Sequence, residues 1–546
     1  MSLSWAEKTG RHLTFYASIY RNKTRSDKIC LILLILAILA HLIVMCFLSF
    51  RNYSVGRFET FDFAIFDQAT YLISRGKTPF VTLRGVHILG DHFSLILYAI
   101  APIRILWISP LLLLILQTLF LGLSSIPIYF FGRHKGEPPP VCLMFATSYL
   151  VHPHILGANL FEFHPDTLAT PFLAGGFYFL YSDRIKQGFA FLLIASTVKE
   201  HIGLLIITFG IYFICSRKLS GIPLFLTGCA IFLISNRFVT LFNSGLPSGY
   251  LRLYSDFGTN WNSILINILF RPGIAIARLI SLKAFIYYIS LLAPMSFIAI
   301  LAPEILLICT PIILLNLLPN IGVVTNATQH SAPLIPIIYF AAIVGFARWR
   351  SFGNQMTTVS LVGSVVIFTL LYLAYGMKTE SNTVKLSYNP TLFQLLKKIP
   401  ANASVSCEMQ FTAWLSCRET IFTFPNPIQE FSWGNKGLAL LQQQGLEIIS
   451  VNQNQFEAKL RGCKVEYFLL GGYRVKGRFF QASHNSEYLL YLLKSKYYSL
   501  VSVTENGMLF QRNTNDKKVT TKLLSEYLSV SKDTDMDLMY HKYMAY

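Results

Sequence analysis

The sequence predicts an α-helical polytopic membrane protein with about eleven transmembrane helices and a C-terminal α/β domain outside the membrane. Of its 546 residues, 53% are hydrophobic and only 13% are charged, whereas soluble domains carry about a quarter charged residues. Apolar runs recur between residues 29 and 376, and many approach the roughly 20 residues that a bilayer core requires. Beyond residue 376, charged and amide residues return and the apolar runs shorten to strand length.

The first predicted span, 29–50, follows a segment rich in Lys and Arg, 1–28. Positive residues stay on the cytoplasmic side of a membrane, so we expect a cytoplasmic N-terminus and a first outer loop at 51–108. Within this loop, the stretch 92–107 is apolar but short, and Arg104 interrupts it. We therefore interpret 92–107 as an interfacial helix.

The other predicted spans follow from the same rule, because the charged turns between them fit one orientation. They are 109–131, 140–158, 167–182, 187–201, 202–216, 220–241, 279–294, 296–317, 332–347 and 357–376. Together with the first span they form a transmembrane domain at 29–376, and their odd total places the C-terminal part outside. The formal net charge of +19 then reflects basic loops beside anionic lipid, and we expect no nucleic-acid partner.

The polar C-terminal part is predicted to be an extracytoplasmic domain, 377–515, followed by a polar tail, 516–546. Its short apolar runs predict strands and a Gly-turn hairpin, with helices between them. The predicted strands lie in 403–407, 420–424, 465–470 and 497–512, and the predicted helices in 391–399 and 485–496. Cys407 and Cys417 are close in sequence, so they either form a disulfide in an oxidising compartment or stay free.

Polar residues of the membrane part gather in five clusters, all on the predicted outer side. Ionisable groups at membrane depth are costly unless they are paired or hydrated, so they are candidates for function. The clusters are Asp62 with Asp67, Asp91 with His92, Glu162 with His164 and Asp166, Lys199 with Glu200 and His201, and Gln329 with His330. Their common side predicts one polar cavity that opens outward.

Two of these clusters have simpler interpretations as well. Lys199 and Glu200 could be an ion pair that holds two helices together. Glu162, His164 and Asp166 offer the carboxylate and imidazole groups that bind divalent ions such as Mg²⁺ or Mn²⁺. Their spacing, i, i+2 and i+4, is not a recognised metal motif. The sequence therefore leaves open whether a divalent cation binds here as a cofactor.

Several short strings in the membrane part carry a resemblance to a known family. They are "FDFAIFDQA", "HFSLILYAIAP", "FEFHPDTLA", "KEH" and "HSAPLIP". In this order and spacing they resemble the DUF2079 family of predicted membrane proteins, which is similar to the GT-C superfamily of polytopic glycosyltransferases. The resemblance extends from about residue 55 to 345 and continues into "IPANASVSCEMQFTAWLSCRETIFTFP". Ala64 and Leu95 depart from the family pattern.

The GT-C resemblance implies a transferase at the outer face of a bacterial inner membrane. Such enzymes take a sugar from a polyprenyl-phosphate carrier and give it to a glycan, lipid or protein acceptor. An acidic residue in the first outer loop activates the acceptor hydroxyl as general base. By position this catalytic residue is Asp62, directly after the first span, and Asp67 is the second candidate.

The resemblance also implies roles for the other polar clusters. The donor phosphate gains charge as the glycosyl bond breaks, and cationic groups stabilise that charge. The residues expected to bind this phosphate are His92, Lys199 and Arg84. Those expected to line the cavity on the acceptor side are Glu162, His164, Asp166, Glu200, His201 and His330.

Two other functional classes remain open from the sequence. In an ion-coupled or small-molecule transporter, the carboxylates and histidines would form an ion path; transporters usually place such residues near the midplane and show paired repeats, which this sequence lacks. A non-enzymatic envelope scaffold would leave the polar groups of the membrane part without a purpose.

Overall fold

The computed structural model describes residues 25–55, 61–320, 328–351, 390–428, 453–471, 482–504, 507–512, 520–523 and 525. The N-terminal segment before residue 25, the predicted span 357–376 and nearly all of the predicted tail lie outside the described residues.

Five helical segments within the described residues are long and apolar enough to cross a membrane. They are Arg25–Ser54, Leu111–His134, Pro139–Phe161, Gly221–Phe242 and Gln329–Ser351. A sixth candidate is a pair of helices, Gly273–Leu279 and Leu282–Met295, which meet at an angle of 49°. Each of these segments overlaps a predicted span, so the prediction of a polytopic helical membrane protein is confirmed.

Several other predicted spans are helical but short. Helices Ile185–Ser196 and Ile202–Cys215 have 12 and 14 residues, and at about 1.5 Å per residue they are shorter than a bilayer core of about 30 Å. The chain leaves the helical conformation between them, where Lys199 and its neighbours lie. The described residues thus contain five or six full-length spans, and the remaining helices are partial ones.

The remaining helical elements of the membrane part are short α- and 3₁₀-helices. They are Ile88–Asp91, Pro165–Ala169, Thr170–Tyr181, Gly249–Tyr254, Trp261–Phe270, Ile298–Leu301, Pro303–Leu306, Leu307–Cys309 and Thr310–Leu317. Many of them end beside the cavity described below, so side chains at helix termini reach it.

The first loop contains two helices and a small hairpin. The first-loop helix, Phe61–Ser74, precedes strands β1, Phe80–Val81, and β2, Val86–His87, which pair antiparallel. The helix Ile96–Leu106 follows, as predicted for the stretch 92–107. Its Arg104, which the sequence suggested as an interruption at the membrane surface, is instead fully buried.

The C-terminal part forms a mixed five-stranded sheet. Its strands are β3, Val405–Cys407; β4, Ile421–Thr423; β5, Tyr467–Gly471; β6, Tyr498–Thr504; and β7, Gly507–Arg512. The spatial order is β4-β3-β5-β7-β6, parallel from β4 to β5 and antiparallel from β5 to β6. All five strands lie where the sequence predicts them.

Helices flank this sheet. They are Pro390–Lys397, Met409–Phe411, Thr412–Leu415, Gln453–Gly462 and Ala482–Lys494. One face of the sheet buries Phe456, Phe468 and Leu492 in a core of its own. Cys407 and Cys417 are both free thiols, so of the two alternatives left open by the sequence the structure has the unpaired one.

The helical part and the sheet share a continuous hydrophobic core. Val405 and Leu469 on the sheet belong to the same buried cluster as Phe63 and Phe66 of the first-loop helix. Burial of apolar surface at this contact stabilises the packing of the sheet against the first loop. The sheet is therefore a fixed part of the molecule's cavity-bearing end.

Candidate functional site

A cavity of about 440 Å³ lies where the first loop, the short helices and the C-terminal part meet. Each of the five predicted polar clusters supplies at least one side chain to its wall. The cluster residues in the wall are Asp62, Asp91, His92, Glu162, His164, Asp166, Lys199, Glu200, His201, Gln329 and His330. Arg84 lines the cavity as well. The polar clusters that the sequence assigned to the outer side of the membrane therefore share one cavity.

Breaks in helices bring these side chains to the cavity. Asp62 lies in the first turn of the first-loop helix. The segment Glu162–Asp166 joins the helix Pro153–Phe161 to a 3₁₀ turn, and Lys199 follows the end of the helix Ile185–Ser196. Backbone groups at such ends lack helical partners, so polar side chains are favoured there.

Asp62 and His164 form the first of three carboxylate–imidazole pairs. Asp62 Oδ2 lies 3.2 Å from His164 Nε2, and the side chain of Asp62 is 47% exposed whereas that of His164 is 2% exposed. Burial raises the pKa of Asp62, but the hydrogen bond with His164 and the charges of Arg84 and Lys199 outweigh this effect and lower it to about 2. Asp62 is thus an ionised carboxylate at the open side of the cavity.

The second pair joins His92 to Glu200. His92 Nδ1 lies 3.1 Å from Glu200 Oε1, and the backbone N–H of Phe93 donates to Glu200 Oε2 at 3.0 Å. The ring of His92 stacks on Tyr250, with ring centroids 4.7 Å apart. The contacts with Glu200 and Tyr250 fix the orientation of the His92 imidazole in the cavity lining.

Asp166 is the centre of the third group. Its carboxylate lies 2.8 Å from Lys199 Nζ and 3.3 Å from His201 Nε2. The sequence left open whether Lys199 pairs with its neighbour Glu200, but the nearest described carboxylate is that of Asp166. The ammonium group and the imidazole therefore balance a carboxylate that is fully buried.

Arg84 completes the polar wall. Its Nε and Nη2 donate to Asp91 Oδ1 at 3.1 and 2.6 Å, and its guanidinium lies 5.8 Å from the centre of the Tyr250 ring. Each of the three residues predicted to bind a phosphate thus has a carboxylate beside it in the described structure. A phosphate would share or displace these carboxylates.

Acidic groups outnumber permanently charged basic groups in the cavity. Five carboxylates line it, against three basic side chains and four imidazoles, namely Arg84, Lys199 and Arg252 with His92, His164, His201 and His330. An unpaired buried charge is strongly unfavourable. The surplus of carboxylates therefore favours a bound cation when an anionic ligand is present.

A group of donors suited to a cation exists, but its members differ from those predicted. Donor atoms of Asp62, Glu162 and His164 all lie within 4.8 Å of one another. Glu162 and His164 have extended backbones, so these alternate residues point to the same side. Asp166 lies in the 3₁₀ turn that follows and pairs with Lys199, so the predicted set Glu162, His164 and Asp166 is replaced by one that includes Asp62.

Asp67 lies outside the cavity lining, contrary to its selection as a catalytic candidate. It is fully buried, and its Oδ1 accepts from Arg104 Nη1 at 2.5 Å. Ser416 Oγ donates to its other oxygen at 2.6 Å. Five residues after Asp62 the helix has turned by about 140°, so the two carboxylates face different surroundings.

Gln117 organises the acidic segment of the site, and the sequence analysis did not identify it. Its Nε2 donates to three backbone carbonyls, those of Ala158, Asn159 and Glu162, at 3.0 to 3.2 Å. Its Oε1 accepts from the backbone N–H of His164 at 3.0 Å and from the hydroxyl of Thr167 at 3.1 Å. A single amide within the apolar run 111–123 was the available signal.

The cavity lining also includes apolar and aromatic side chains, which the sequence analysis did not identify. They include Phe232, Tyr254, Trp261 and Leu315. The C-terminal part contributes Met409, just after β3. A ligand that fills the cavity would meet both charged groups and hydrocarbon.

Comparison with known proteins identifies the family. The structure is similar to the crystal structure of ArnT from Cupriavidus metallidurans bound to undecaprenyl phosphate, with a TM-score of 0.47 and 11% sequence identity, over 87% of this chain and 97% of that chain. No curated protein sequence matches this chain. A family of predicted membrane proteins, DUF2079, matches residues 57–490, in agreement with the motifs of the sequence. The chain belongs to the DUF2079 family of predicted membrane proteins.

Proposed function

We propose that the protein is a membrane glycosyltransferase of the GT-C type. It transfers a sugar from a polyprenyl-phosphate-linked donor to an acceptor at the extracytoplasmic face. The observation that carries this proposal is a single cavity lined both by an ionised, half-exposed Asp62 with other charged groups and by apolar and aromatic side chains. The GT-C resemblance of the motifs supports the same activity.

Asp62 is the proposed general base. It is the cavity carboxylate that lies in the first loop nearest the first span, and His164 orients it. A pKa near 2 makes a weak base in the free protein. The charges of Arg84 and Lys199 lower that pKa, and a bound donor phosphate would counter both. Donor binding would therefore raise the basicity of Asp62 before the acceptor hydroxyl loses its proton.

Lys199, His92 and Arg84 are the proposed ligands of the donor phosphate. An ammonium group has three N–H donors, and the described contact with Asp166 uses one of them. A phosphate oxygen can accept a hydrogen bond from a second N–H of Lys199 without breaking its ion pair with Asp166. As the bond between sugar and phosphate breaks, negative charge grows on the phosphate, and the fixed charges of Lys199 and Arg84 stabilise it.

The apolar wall suits the hydrocarbon part of the carrier. Phe232 and Trp261 line the cavity, and helix Trp261–Phe270 exposes Leu269 and Phe270 at 72% and 79%. Such surface is stable in contact with lipid tails. The donor would thus bind with its phosphate at the charged residues of the cavity and with its isoprenoid chain along the aromatic residues.

A divalent cation fits the donors of Asp62, Glu162 and His164. Carboxylate and imidazole together suit Mn²⁺, and carboxylates suit Mg²⁺. When bound, such an ion would offset phosphate charge that the three basic side chains leave uncompensated. Glu162 and His164 would hold it, and Gln117 would fix the backbone that carries both.

The charge pattern of the loops supports the orientation. We propose that the N-terminus is cytoplasmic and that the cavity and the C-terminal sheet are extracytoplasmic. Single cysteines at Ser26 and Ser486 test this arrangement in intact cells with an impermeant thiol reagent. Labelling at Ser486 alone supports it, and labelling at Ser26 alone overturns it.

Binding and transfer with a radiolabelled polyprenyl-phosphate sugar test the activity itself. Purified protein in lipid nanodiscs should bind this donor saturably and release polyprenyl phosphate once a suitable acceptor is added. Unlabelled donor should compete, whereas the free sugar should not. Absence of donor binding, combined with proton- or ion-coupled uptake into proteoliposomes, would establish a transporter instead. Absence of both would leave the scaffold interpretation.

A further inference from the structure

Asp67 joins three separate parts of the chain at one buried point. It belongs to the first-loop helix, Arg104 belongs to the helix Ile96–Leu106, and Ser416 follows the helix Thr412–Leu415 of the C-terminal part. Arg104 Nη1 donates to one oxygen of Asp67 at 2.5 Å and Ser416 Oγ donates to the other at 2.6 Å. All three side chains lie in the interior, with Asp67, Arg104 and Ser416 fully buried.

Further hydrogen bonds continue this contact toward both ends of the first loop. Gln68 Nε2 donates to the carbonyl of Glu419 at 3.0 Å, next to Asp67. The hydroxyl of Thr82 donates to the carbonyl of Ile421 at 2.6 Å and accepts from its N–H at 3.0 Å. Trp414 Nε1 donates to the carbonyl of Tyr53 at 3.1 Å. The segment 413–421 therefore forms hydrogen bonds with the first loop at several residues. Among these residues of the first loop, Asp67 is the charged one.

We infer that Asp67, Arg104 and Ser416 are positioning residues that set the place of Asp62 by fixing the first-loop helix to the C-terminal domain. The inference rests on the proposed function, in which Asp62 is the general base. Asp62 lies five residues before Asp67 on the same helix, about 7.5 Å along its axis. A helix this short moves as a rigid unit, so a shift at Asp67 displaces Asp62 relative to His164.

The buried position gives this contact its strength. Removing one partner of a buried ion pair leaves an uncompensated charge, which strongly disfavours the original arrangement. Lys77 and Glu419 form a second ion pair between the same two parts of the chain, but their side chains are 46% and 56% exposed. Exposed pairs contribute little to stability. Lys77 is therefore a matched control, because its ion pair connects the same two parts of the chain but is exposed to solvent.

Ser416→Ala is the main test, because it removes the hydroxyl that donates to Asp67 and to the carbonyl of Ala413 and keeps the ion pair of Asp67 with Arg104. We expect amide hydrogen exchange in residues 61–74 to accelerate about tenfold, since a hydrogen bond to a charged group is worth about 1.5 kcal/mol or more. In the transfer assay kcat should fall while the KM for the donor stays constant. A displacement of about 1 Å at a catalytic group can cost up to about 100-fold in rate.

Three further variants complete the experiment. Ser416→Thr retains the hydroxyl and should restore both exchange and kcat. Lys77→Ala should leave both as in the wild type. Asp67→Asn should show the effects of Ser416→Ala more strongly, and a melting curve shows whether it folds.

The outcomes separate this inference from the proposed function. Unchanged exchange in a folded Ser416→Ala protein overturns the inference, as does faster exchange with an unchanged kcat. Equal effects of Lys77→Ala and Ser416→Ala also overturn it, because burial would then not matter. If the wild type transfers no sugar but Ser416→Ala still accelerates exchange in 61–74, the structural contact holds and the proposed function is what fails.

Discussion

The carboxylate of Asp62 and the imidazole of His164 lie 3.2 Å apart although 102 positions separate them in the sequence. One residue comes from the first loop and the other from the turn after the helix Pro153–Phe161. Glu162 extends this link, because its Oε2 accepts from the backbone N–H of Phe63 at 3.2 Å. The first-loop helix and the acidic turn are therefore held together at the residues proposed to do the chemistry.

Asp62→Asn should abolish most of the transfer activity. Asparagine has the same size but cannot accept a proton, and loss of a positioned base typically costs about 100- to 10,000-fold in rate. Without added divalent cation, donor affinity should change little, since the anionic carboxylate itself does not attract the phosphate. Rates and donor affinity measured on one preparation test this prediction. Asp183→Asn, which alters a carboxylate paired with Lys218 outside the cavity, is the control, and equal losses in both variants would contradict the assignment.

Lys199→Ala and His92→Ala should weaken donor binding by about 10- to 100-fold each, the usual value of a hydrogen bond to a charged group. Both residues line the same cavity. Binding of the labelled donor, together with a melting curve, separates lost contacts from lost folding. Lys218→Ala removes a lysine that contacts Asp183 and Tyr181 instead. A donor affinity that stays at the wild-type value in Lys199→Ala would remove this residue from the phosphate site.

Mn²⁺ should bind at Asp62, Glu162 and His164, and its binding can be followed without any activity. The paramagnetic resonance signal of free Mn²⁺ should decrease as protein is added. Glu162→Gln should lower the affinity by at least about tenfold, because even the outer partners of metal ligands are worth about 10- to 100-fold. Glu304→Gln, a carboxylate paired with Arg348 away from this site, should bind as the wild type does. Identical curves for the two variants would argue against a metal here.

Gln117→Leu should destabilise the protein and reduce donor binding. It leaves several buried backbone groups without partners, each at a cost of about 1–3 kcal/mol, and it releases the turn that carries Glu162 and His164. Thermal unfolding and donor binding measure the two effects. Thr118→Val is a close control, since the described contacts of the Thr118 hydroxyl are with the carbonyl of Leu114 in its own helix and with the Cys46 thiol, and neither belongs to the acidic turn. A Gln117→Leu protein as stable as Thr118→Val would show that the amide is dispensable.

The Cys417 thiol should resist alkylation in the folded protein at pH 8 to 9. Burial and the neighbouring Asp67 carboxylate hold the pKa of this thiol well above its usual range, although Arg104 acts in the opposite direction. The thiolate is the reactive form, and it appears only when the pH approaches the raised pKa. Iodoacetamide reaction of a variant that retains Cys417 alone tests this, and denaturation should restore ordinary reactivity. Equal rates in the folded and denatured states would contradict the predicted environment.

Local patterns in the sequence were sufficient to predict much of the architecture. Short apolar runs and turn residues located β3 to β7, and hydropathy located the long spans such as Arg25–Ser54. These features depend on neighbours within the same segment. The polar clusters could also be assigned to one cavity, because buried charge in a membrane protein has few stable locations.

The pairing of side chains could not be predicted, because it depends on contacts between distant segments. Asp67 looked like an alternative to Asp62, yet its environment is set by Arg104 and Ser416, which are far from it in sequence. Asp166 looked like a metal ligand until Lys199 proved to be beside it. Gln117 was unremarkable in sequence because its five partners lie in the segment 158–167, more than forty positions later.

The contribution of Met409 to the cavity has a consequence for biosynthesis. A ribosome makes this residue after every full-length helix among the described residues, so those helices can enter the membrane before Met409 reaches the cavity. The described lining is completed only when the C-terminal sheet has been translocated and has docked on the first loop. A chain that stops before residue 390 should therefore insert into the membrane but leave residues 61–74 open to protease, and a protected first loop in that shorter chain would refute this order of assembly. In the proposed topology, the same order would delay sugar transfer until synthesis of the chain is finished and the site is complete.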